Sequence, residues 1–125
     1  MVAGLLCTAL GLLCPDETLA GHGGGGEWRL ETLDGAPLGA QATLSLGPGG
    51  ALSGRAPCNA FSGRQTAPYP WFEASALAAT RRACPALDAE ARFLAALEAM
   101  TEAEVLGGVL VLRNRDGGEM LFRRP

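Results

Sequence analysis

The chain has 125 residues, of which 48% are hydrophobic and 18% charged, which is enough for one folded domain. Its 13 acidic side chains outnumber the 10 basic ones, so the sequence has no basic stripe for binding nucleic acid. With His22 as the single histidine, most hydrolase and zinc chemistries lack their usual base or ligand, and we predict no enzyme activity, metal or cofactor.

The first predicted element is an apolar run from Val2 to Leu13 that ends at Cys14. A helix needs about 20 apolar residues to span a bilayer, whereas the core of a secretory signal needs about 7–15, so the run indicates export. A cysteine that closes such a run resembles the lipobox of bacterial lipoproteins, in which the cysteine is acylated after cleavage. We therefore predict a signal segment over residues 1–14, lipidation of Cys14, and a location in the periplasm or at the outer membrane.

A glycine-rich stretch follows over residues 15–26, with four consecutive glycines at its end. Glycine has the largest backbone entropy to lose on folding and no side chain to bury, so the stretch is typical of a flexible tether. His22 lies within it, and we expect this side chain to be solvated.

From Glu27 onward, short alternating runs are separated by turn residues about every ten positions, a pattern typical of an antiparallel sheet or barrel. The first run places Trp28, Leu30 and Thr32 on one face and closes at a hairpin turn formed by Asp34 and Gly35. Further strands are predicted over residues 42–46, 51–55, 71–75, 109–113 and 119–123.

One segment without internal glycine or proline predicts a helix from Pro85 to Met100. Glu90 projects into the middle of its apolar arc, where an unpaired carboxylate would be costly to bury. Its partner could be Arg81, Arg82 or a backbone amide of the loop before the helix. A structural latch is the commoner use of such a group, and a catalytic carboxylate is the alternative. The apolar arc is formed by Leu87, Phe93, Leu94, Leu97 and Met100.

An aromatic cluster, Tyr69, Trp71 and Phe72, stands among prolines in a loop that leads into the strand predicted over residues 71–75. The three rings could line the mouth of a ligand site or pack in the core. Because successive residues of a strand point to opposite faces, we expect only one of Trp71 and Phe72 to be exposed.

Several segments resemble, in order and spacing, the META domain, or HslJ-like, family over about residues 27–123. They are GEWRLETLDG, SGRAPCNAFSG, LAATRRACP, the helix with its acidic residue, and the closing hairpin. The most specific piece is the family's S-G-x-x-x-C-N-x-[FY]-x-G box, and the second is its T-x-x-x-C box. The residues that match these patterns are Trp28, Ser53, Gly54, Cys58, Asn59, Phe61, Gly63, Thr80, Cys84 and Glu90.

The resemblance implies a mainly β (α+β) domain over residues 27–125, a partly open, lipocalin-like antiparallel β-barrel packed with one α-helix. It also implies export, since bacterial members are often envelope or outer-membrane lipoproteins, and some are linked to heat-shock expression or antibiotic tolerance. No enzymatic activity is established for the family. Structural roles are therefore expected for the motif residues Trp28, Gly54, Asn59, Gly63, Thr80 and Glu90.

Cys58 and Cys84 are the two cysteines of the predicted domain, and export would place them in an oxidising compartment. We therefore predict a disulfide between them. The alternative, a reactive thiol at Cys58, would need a base, and the sequence offers only His22.

The leading hypothesis is a non-catalytic envelope protein, held at a membrane by its lipidated N-terminus, that binds another envelope component or supports envelope integrity under stress. A carrier that holds a small apolar ligand inside the barrel is the alternative, and an open apolar pocket of several hundred Å³ would favour it. An enzyme that uses Glu90 with Arg81 or Arg82 is the third hypothesis.

Overall fold

The computed structural model describes residues 16–125, so the predicted signal segment and the lipidation site at Cys14 lie outside the described residues. Within residues 16–125, no helix is long and apolar enough to cross a bilayer. The domain has one α-helix and eight strands in the described range: β1 Gly26–Leu33, β2 Thr43–Leu46, β3 Ala51–Arg55, β4 Ala60–Arg64, β5 Ser75–Ala79, α1 Leu87–Ala99, β6 Glu102–Leu106, β7 Val109–Arg113 and β8 Glu119–Arg123.

All eight strands form one antiparallel sheet in the order β5-β4-β3-β2-β1-β8-β7-β6. The first strand, β1, lies in the middle, between β2 and the last strand, β8. The two edge strands, β5 and β6, do not pair with each other, so the sheet is not closed into a barrel. The predicted mainly β, partly open antiparallel fold with one helix is confirmed.

The connection that leads into β5 crosses the gap between the two edges of the sheet. Trp71 forms an isolated bridge with Glu102 of β6, and the backbone N–H of Phe72 donates to the carbonyl of Thr101 at 2.9 Å. This connection, rather than a strand, therefore covers part of the edge of β6. The strand predicted over residues 71–75 is wrong in position, because β5 begins only at Ser75.

The hairpins were predicted best, because their turn residues and their alternating apolar and polar residues indicate the same structure. Strands β7 and β8 have the predicted bounds, and β2 and β3 form the hairpin predicted around residues 47–50. Asp34 and Gly35 have φ angles of 52° and 85°, which is the left-handed backbone that a tight hairpin turn requires. Strands β4 and β6 were not predicted.

The core lies between α1 and the sheet and is filled by large side chains. The predicted helix begins at Leu87 rather than at Pro85, and Leu87 is 43% exposed although it was predicted to face the core. Its position at the first residue of the helix explains the difference, since the later residues of the same arc are covered. The largest fully buried side chains are Trp28, Phe93, Phe122, Leu19, Leu44, Leu52, Leu97, Leu110, Leu112 and Met120.

The glycine-rich stretch is part of the domain from Asp16 onward, so the predicted tether is wrong for its described residues. Leu19 is fully buried within a short 3-10 turn, Leu19–His22. Burial of one leucine side chain contributes about 1.5–3 kcal/mol to the stability of the fold. A leucine in a solvated linker would make no such contribution. His22 is exposed to solvent, as expected, although its ring stacks on Tyr69 with centroids 5.1 Å apart.

Close packing, rather than flexibility, explains two of the glycines in this segment. A Cβ on Gly21 would collide with the carbonyl oxygen of Asp16, and one on Gly24 would lie 2.6 Å from the side chain of Leu19. Glycine-rich composition therefore does not distinguish a linker from a tightly wound turn.

Candidate functional site

Buried polar groups of residues 16–125 converge at Glu90. This side chain lies in the first turn of α1 and is 7% exposed. One carboxylate oxygen, Oε1, accepts hydrogen bonds from the backbone N–H groups of Cys58 and Asn59, both at 2.8 Å. The other, Oε2, accepts one from Asn59 Nδ2 at 2.7 Å.

Asn59 connects this carboxylate to the chain between β5 and α1. Its Nδ2 also donates to the carbonyl oxygen of Arg82 at 3.0 Å. Its Oδ1 accepts the hydroxyl of Thr80 at 2.9 Å and the backbone N–H of Arg82 at 2.6 Å. Both ends of the amide are therefore hydrogen-bonded, as a side chain that is 4% exposed requires. We call Glu90, Asn59, Thr80 and the backbone of Arg82 the polar network.

The predicted disulfide is present and joins the same two segments of chain as the polar network. Cys58 and Cys84 are bonded, with their Cα atoms 5.7 Å apart and 26 residues apart in sequence. Cys58 immediately precedes Asn59, while Cys84 follows Arg82 by two residues. A covalent bond and a set of buried hydrogen bonds therefore hold the start of β4 against the start of α1.

Hydrogen bonding keeps Glu90 ionised despite its burial. Burial alone raises the pKa of this carboxyl group, but the hydrogen bonds from the Asn59 side chain and from the backbone N–H groups of Cys58 and Asn59 lower it more. The net result is a pKa below the usual value for glutamate.

Neither of the arginines proposed as partners for Glu90 contacts its carboxylate. Arg82 contributes only its backbone, and it does so to Asn59, while the side chains of both arginines are exposed. The amides that do pair with Glu90 belong to the loop before β4, not to the loop before the helix. Sequence distance was misleading here, because the partners lie 31 and 32 residues away.

The geometry of the polar network fits a structural latch better than a reactive centre. Both carboxylate oxygens are occupied by donors from the protein, and the reactive thiol considered for Cys58 is consumed by the disulfide. His22 lies elsewhere, where its Nδ1 contacts the carbonyl of Thr18 at 3.0 Å. Within residues 16–125, no group of three or more His, Cys, Asp or Glu side chains is arranged to hold a metal ion.

Trp28 is separate from the polar network and holds the N-terminal segment of the domain. Its ring is fully buried, and its Nε1 donates to the carbonyl of Gly24 at 2.8 Å. The guanidinium of Arg124 lies 3.8 Å above the ring and donates to the carbonyls of Gly23 and Gly25. No sequence pattern indicated this role for Arg124, which is one residue from the end of the chain.

The two motif glycines lie where neighbouring groups leave no room for a side chain. A Cβ on Gly54 would collide with the carbonyl of Thr43 and come within 2.7 Å of the Phe61 ring. Gly63 lies at a register shift between β4 and β5, where a Cβ would be 2.6 Å from the carbonyl of Ser75. Gly63 therefore lies at an irregularity of the sheet, whereas Gly54 allows close packing.

Two hollows near β4 are open at the surface. One of about 340 Å³ lies over β4 and the end of β5. Another of about 380 Å³ lies over the polar face of β1 to β4. A third hollow, of about 110 Å³, lies between the end of β5 and α1. The two larger hollows lie on the surface of an open sheet, whereas the carrier hypothesis places its ligand inside a barrel. The lining of the first is Ala60, Phe61, Ser62, Ala78, Ala79 and Thr80.

Comparisons with known proteins agree with this architecture. The family model described as the META domain matches residues 17–125. An NMR structure of a protein from Burkholderia xenovorans superposes with a TM-score of 0.64 at 24% identity, over 96% of this chain and 87% of that one. A second NMR structure gives a TM-score of 0.64 at 19% identity, over 90% and 95% of the two chains.

A crystal structure of a DUF4847 family protein from Bacteroides vulgatus ATCC 8482 has a TM-score of 0.67 at 12% identity, over 86% of this chain and 97% of that one. At these identities the structural likeness shows a shared fold alone. No curated protein matches the sequence significantly.

Proposed function

Because this chain belongs to the META domain family, with the family fold latched by a disulfide and a buried carboxylate, we propose that it is a non-catalytic protein of the bacterial cell envelope. It is exported by its N-terminal signal segment and held at a membrane through an acyl group on Cys14. There it binds another envelope component or supports envelope integrity under heat or antibiotic stress.

The observation that carries the proposal is the disulfide between Cys58 and Cys84. Disulfides persist in oxidising compartments such as the periplasm and are rare in the cytosol. On the loop-entropy model, closing this loop stabilises the fold by about 3.5 kcal/mol, a large share of the stability of a small domain. A domain that depends on such a bond is suited to an exported location, and the apolar run that ends at Cys14 is the proposed export signal.

The proposed absence of catalysis is supported by the contacts of Glu90, the one carboxylate that is buried among residues 16–125. A general acid or base must reach the proton it transfers, at about 2.6–3.2 Å or through one water. Glu90 instead directs both oxygens at donors of its own domain and is 7% exposed. Its ionised state fits an acceptor of fixed hydrogen bonds.

Fractionation and mass spectrometry of the full chain, expressed in a bacterial host, test the proposal. We expect the protein in the membrane fraction, with a mature N-terminus at acylated Cys14 and with Cys58 and Cys84 oxidised. Cys14→Ser should abolish acylation and membrane retention, whereas Cys7→Ser, a matched change in the same apolar run, should alter neither. A cytoplasmic chain that begins at Met1 and carries reduced thiols would refute the proposal.

The stress role is tested in the native host by deletion of the gene. We expect reduced survival under heat or antibiotic challenge, restored by the wild-type chain but not by Cys14→Ser. Equal restoration by both chains would show that membrane attachment is not needed for the role.

A further inference from the structure

Trp71 is the one large aromatic side chain in the described residues that faces solvent, with 51% of its surface exposed. Its neighbour Phe72 points inward and is 2% exposed. Pro68 and Pro70, on the other side of Trp71, are also exposed. We call Pro68–Trp71 the aromatic loop. Trp71 and the two prolines therefore expose apolar surface on one short stretch of chain.

This loop is fixed in position by contacts with the first described residues. The backbone N–H of Tyr69 donates to the carbonyl of Glu17 at 2.7 Å, and Thr18 forms an isolated bridge with Pro68. On its other side, the hydroxyl of Tyr69 accepts the backbone N–H of Val105 in β6 at 3.2 Å. The aromatic loop therefore lies directly beside the point where the chain enters the domain.

The short connection to Cys14 limits how far the aromatic loop can be from an acyl anchor. Cys14 precedes Glu17 by three residues, which span at most about 11 Å when fully extended. A tether over residues 15–26 would have allowed about 40 Å, but those residues are folded into the domain from Asp16. An anchored domain consequently cannot move away from the bilayer.

We propose that the aromatic loop lies against the lipid surface and that Trp71 inserts into the interfacial region. The proposal rests on the proposed acylation of Cys14. Tryptophan prefers the membrane interface because its ring is apolar while its N–H needs a polar partner. The exposed acids next to the loop, Glu17, Glu73 and Glu102, oppose an anionic surface, so the partner is a neutral or zwitterionic lipid face.

The two tryptophans of the chain allow a direct test by fluorescence. The full acylated chain is reconstituted into phosphatidylcholine vesicles with or without brominated acyl chains, which quench nearby indole rings. We expect a loss of emission from Trp71 and none from Trp28, which is fully buried. Trp71→Phe leaves Trp28 as the only emitter and should abolish the quenching. The same change substitutes a half-exposed ring, so the fold should be kept.

A tryptophan at Leu87 provides the matched control. Leu87 is also exposed, but it lies at the start of α1, about 18 Å along the helix from the end that adjoins Phe72. In the Trp71→Phe background, Leu87→Trp should remain unquenched. Flotation of the same samples with the vesicles reports anchoring separately. Flotation without quenching of Trp71, or equal quenching at Leu87→Trp, would overturn the orientation alone, whereas failure to float would overturn both proposals.

Discussion

Replacing Glu90 by glutamine tests whether the buried carboxylate holds the domain together. The substituted side chain keeps its size and its Oε1, so it can still accept the backbone N–H groups of Cys58 and Asn59. At the other end, an NH₂ group replaces Oε2 and faces Asn59 Nδ2, which is itself a donor. The change therefore removes a charge and one hydrogen bond at almost constant volume.

The expected loss of folding stability follows from the three hydrogen bonds that Glu90 accepts. One bond to a charged acceptor is lost, at about 1.5–3 kcal/mol, and two others weaken from charge-assisted to neutral. Relief from burying a charge offsets part of this loss. We expect Glu90→Gln to lower the free energy of unfolding by about 2–3 kcal/mol at pH 7.

The destabilisation caused by Glu90→Gln should decrease as the pH is lowered. Because the pKa of Glu90 is lowered in the folded state, its contribution is fully present above the unfolded pKa, about 4.3, and is lost as pH falls through the folded pKa. The difference between wild type and Glu90→Gln should therefore be largest near pH 7 and shrink in acid.

Urea unfolding between pH 7 and pH 3, with the disulfide intact, measures this difference. Glu98→Gln, an exposed position on the same helix, is the control and should change the free energy of unfolding by less than about 0.5 kcal/mol. A Glu90→Gln loss as small as the control, or one that is constant across the pH range, would refute the reasoning.

Three further changes test other parts of the structure. Cys58→Ser and Cys84→Ser should each lower the free energy of unfolding by about 3.5 kcal/mol, and the double variant by no more, since either removes the same bond; additive losses in denaturant unfolding would contradict this. Gly54→Ala should cost about 3 kcal/mol by thermal unfolding because of its collision with the Thr43 carbonyl, whereas Gly108→Ala, whose nearest neighbour would be 3.9 Å away, should cost much less. Ala76→Gly should raise the melting temperature, because Ala76 has a φ of 54° that glycine adopts without strain; a lower melting temperature would show that the lost methyl group matters more.

Local patterns predicted most of the sheet and the helix. Strands β7 and β8 were predicted correctly from their alternating apolar and polar residues and from the turn between them. Both patterns involve only residues that are close in sequence. Strand β5 was missed because its sequence, SALAA, has no β-branched residue, and it is specified by pairing with β4 instead. The tether prediction for the glycine-rich stretch was wrong because the stretch is held by Arg124, which bonds Gly25 and Gly23 across 99 and 101 residues of sequence.

The members of the candidate site were predictable, but their contacts were not. Glu90 stood out because a carboxylate in an apolar arc requires a partner. Asn59 and Thr80 were singled out by family resemblance alone, and their hydrogen bonds cross 21 to 31 residues of sequence. Residue spacing does not show which of several distant donors reaches a buried oxygen, so none of the three partners considered for Glu90 was the right one.

The central position of β1 has a consequence for when the domain can form. This strand emerges first during synthesis, yet one of its two neighbours, β8, ends only at Arg123. Because β1 and β8 are far apart in sequence, the sheet cannot be completed before β8 has been synthesised. Such a delay is compatible with the export that we propose, because a polypeptide that has not yet folded can still be translocated.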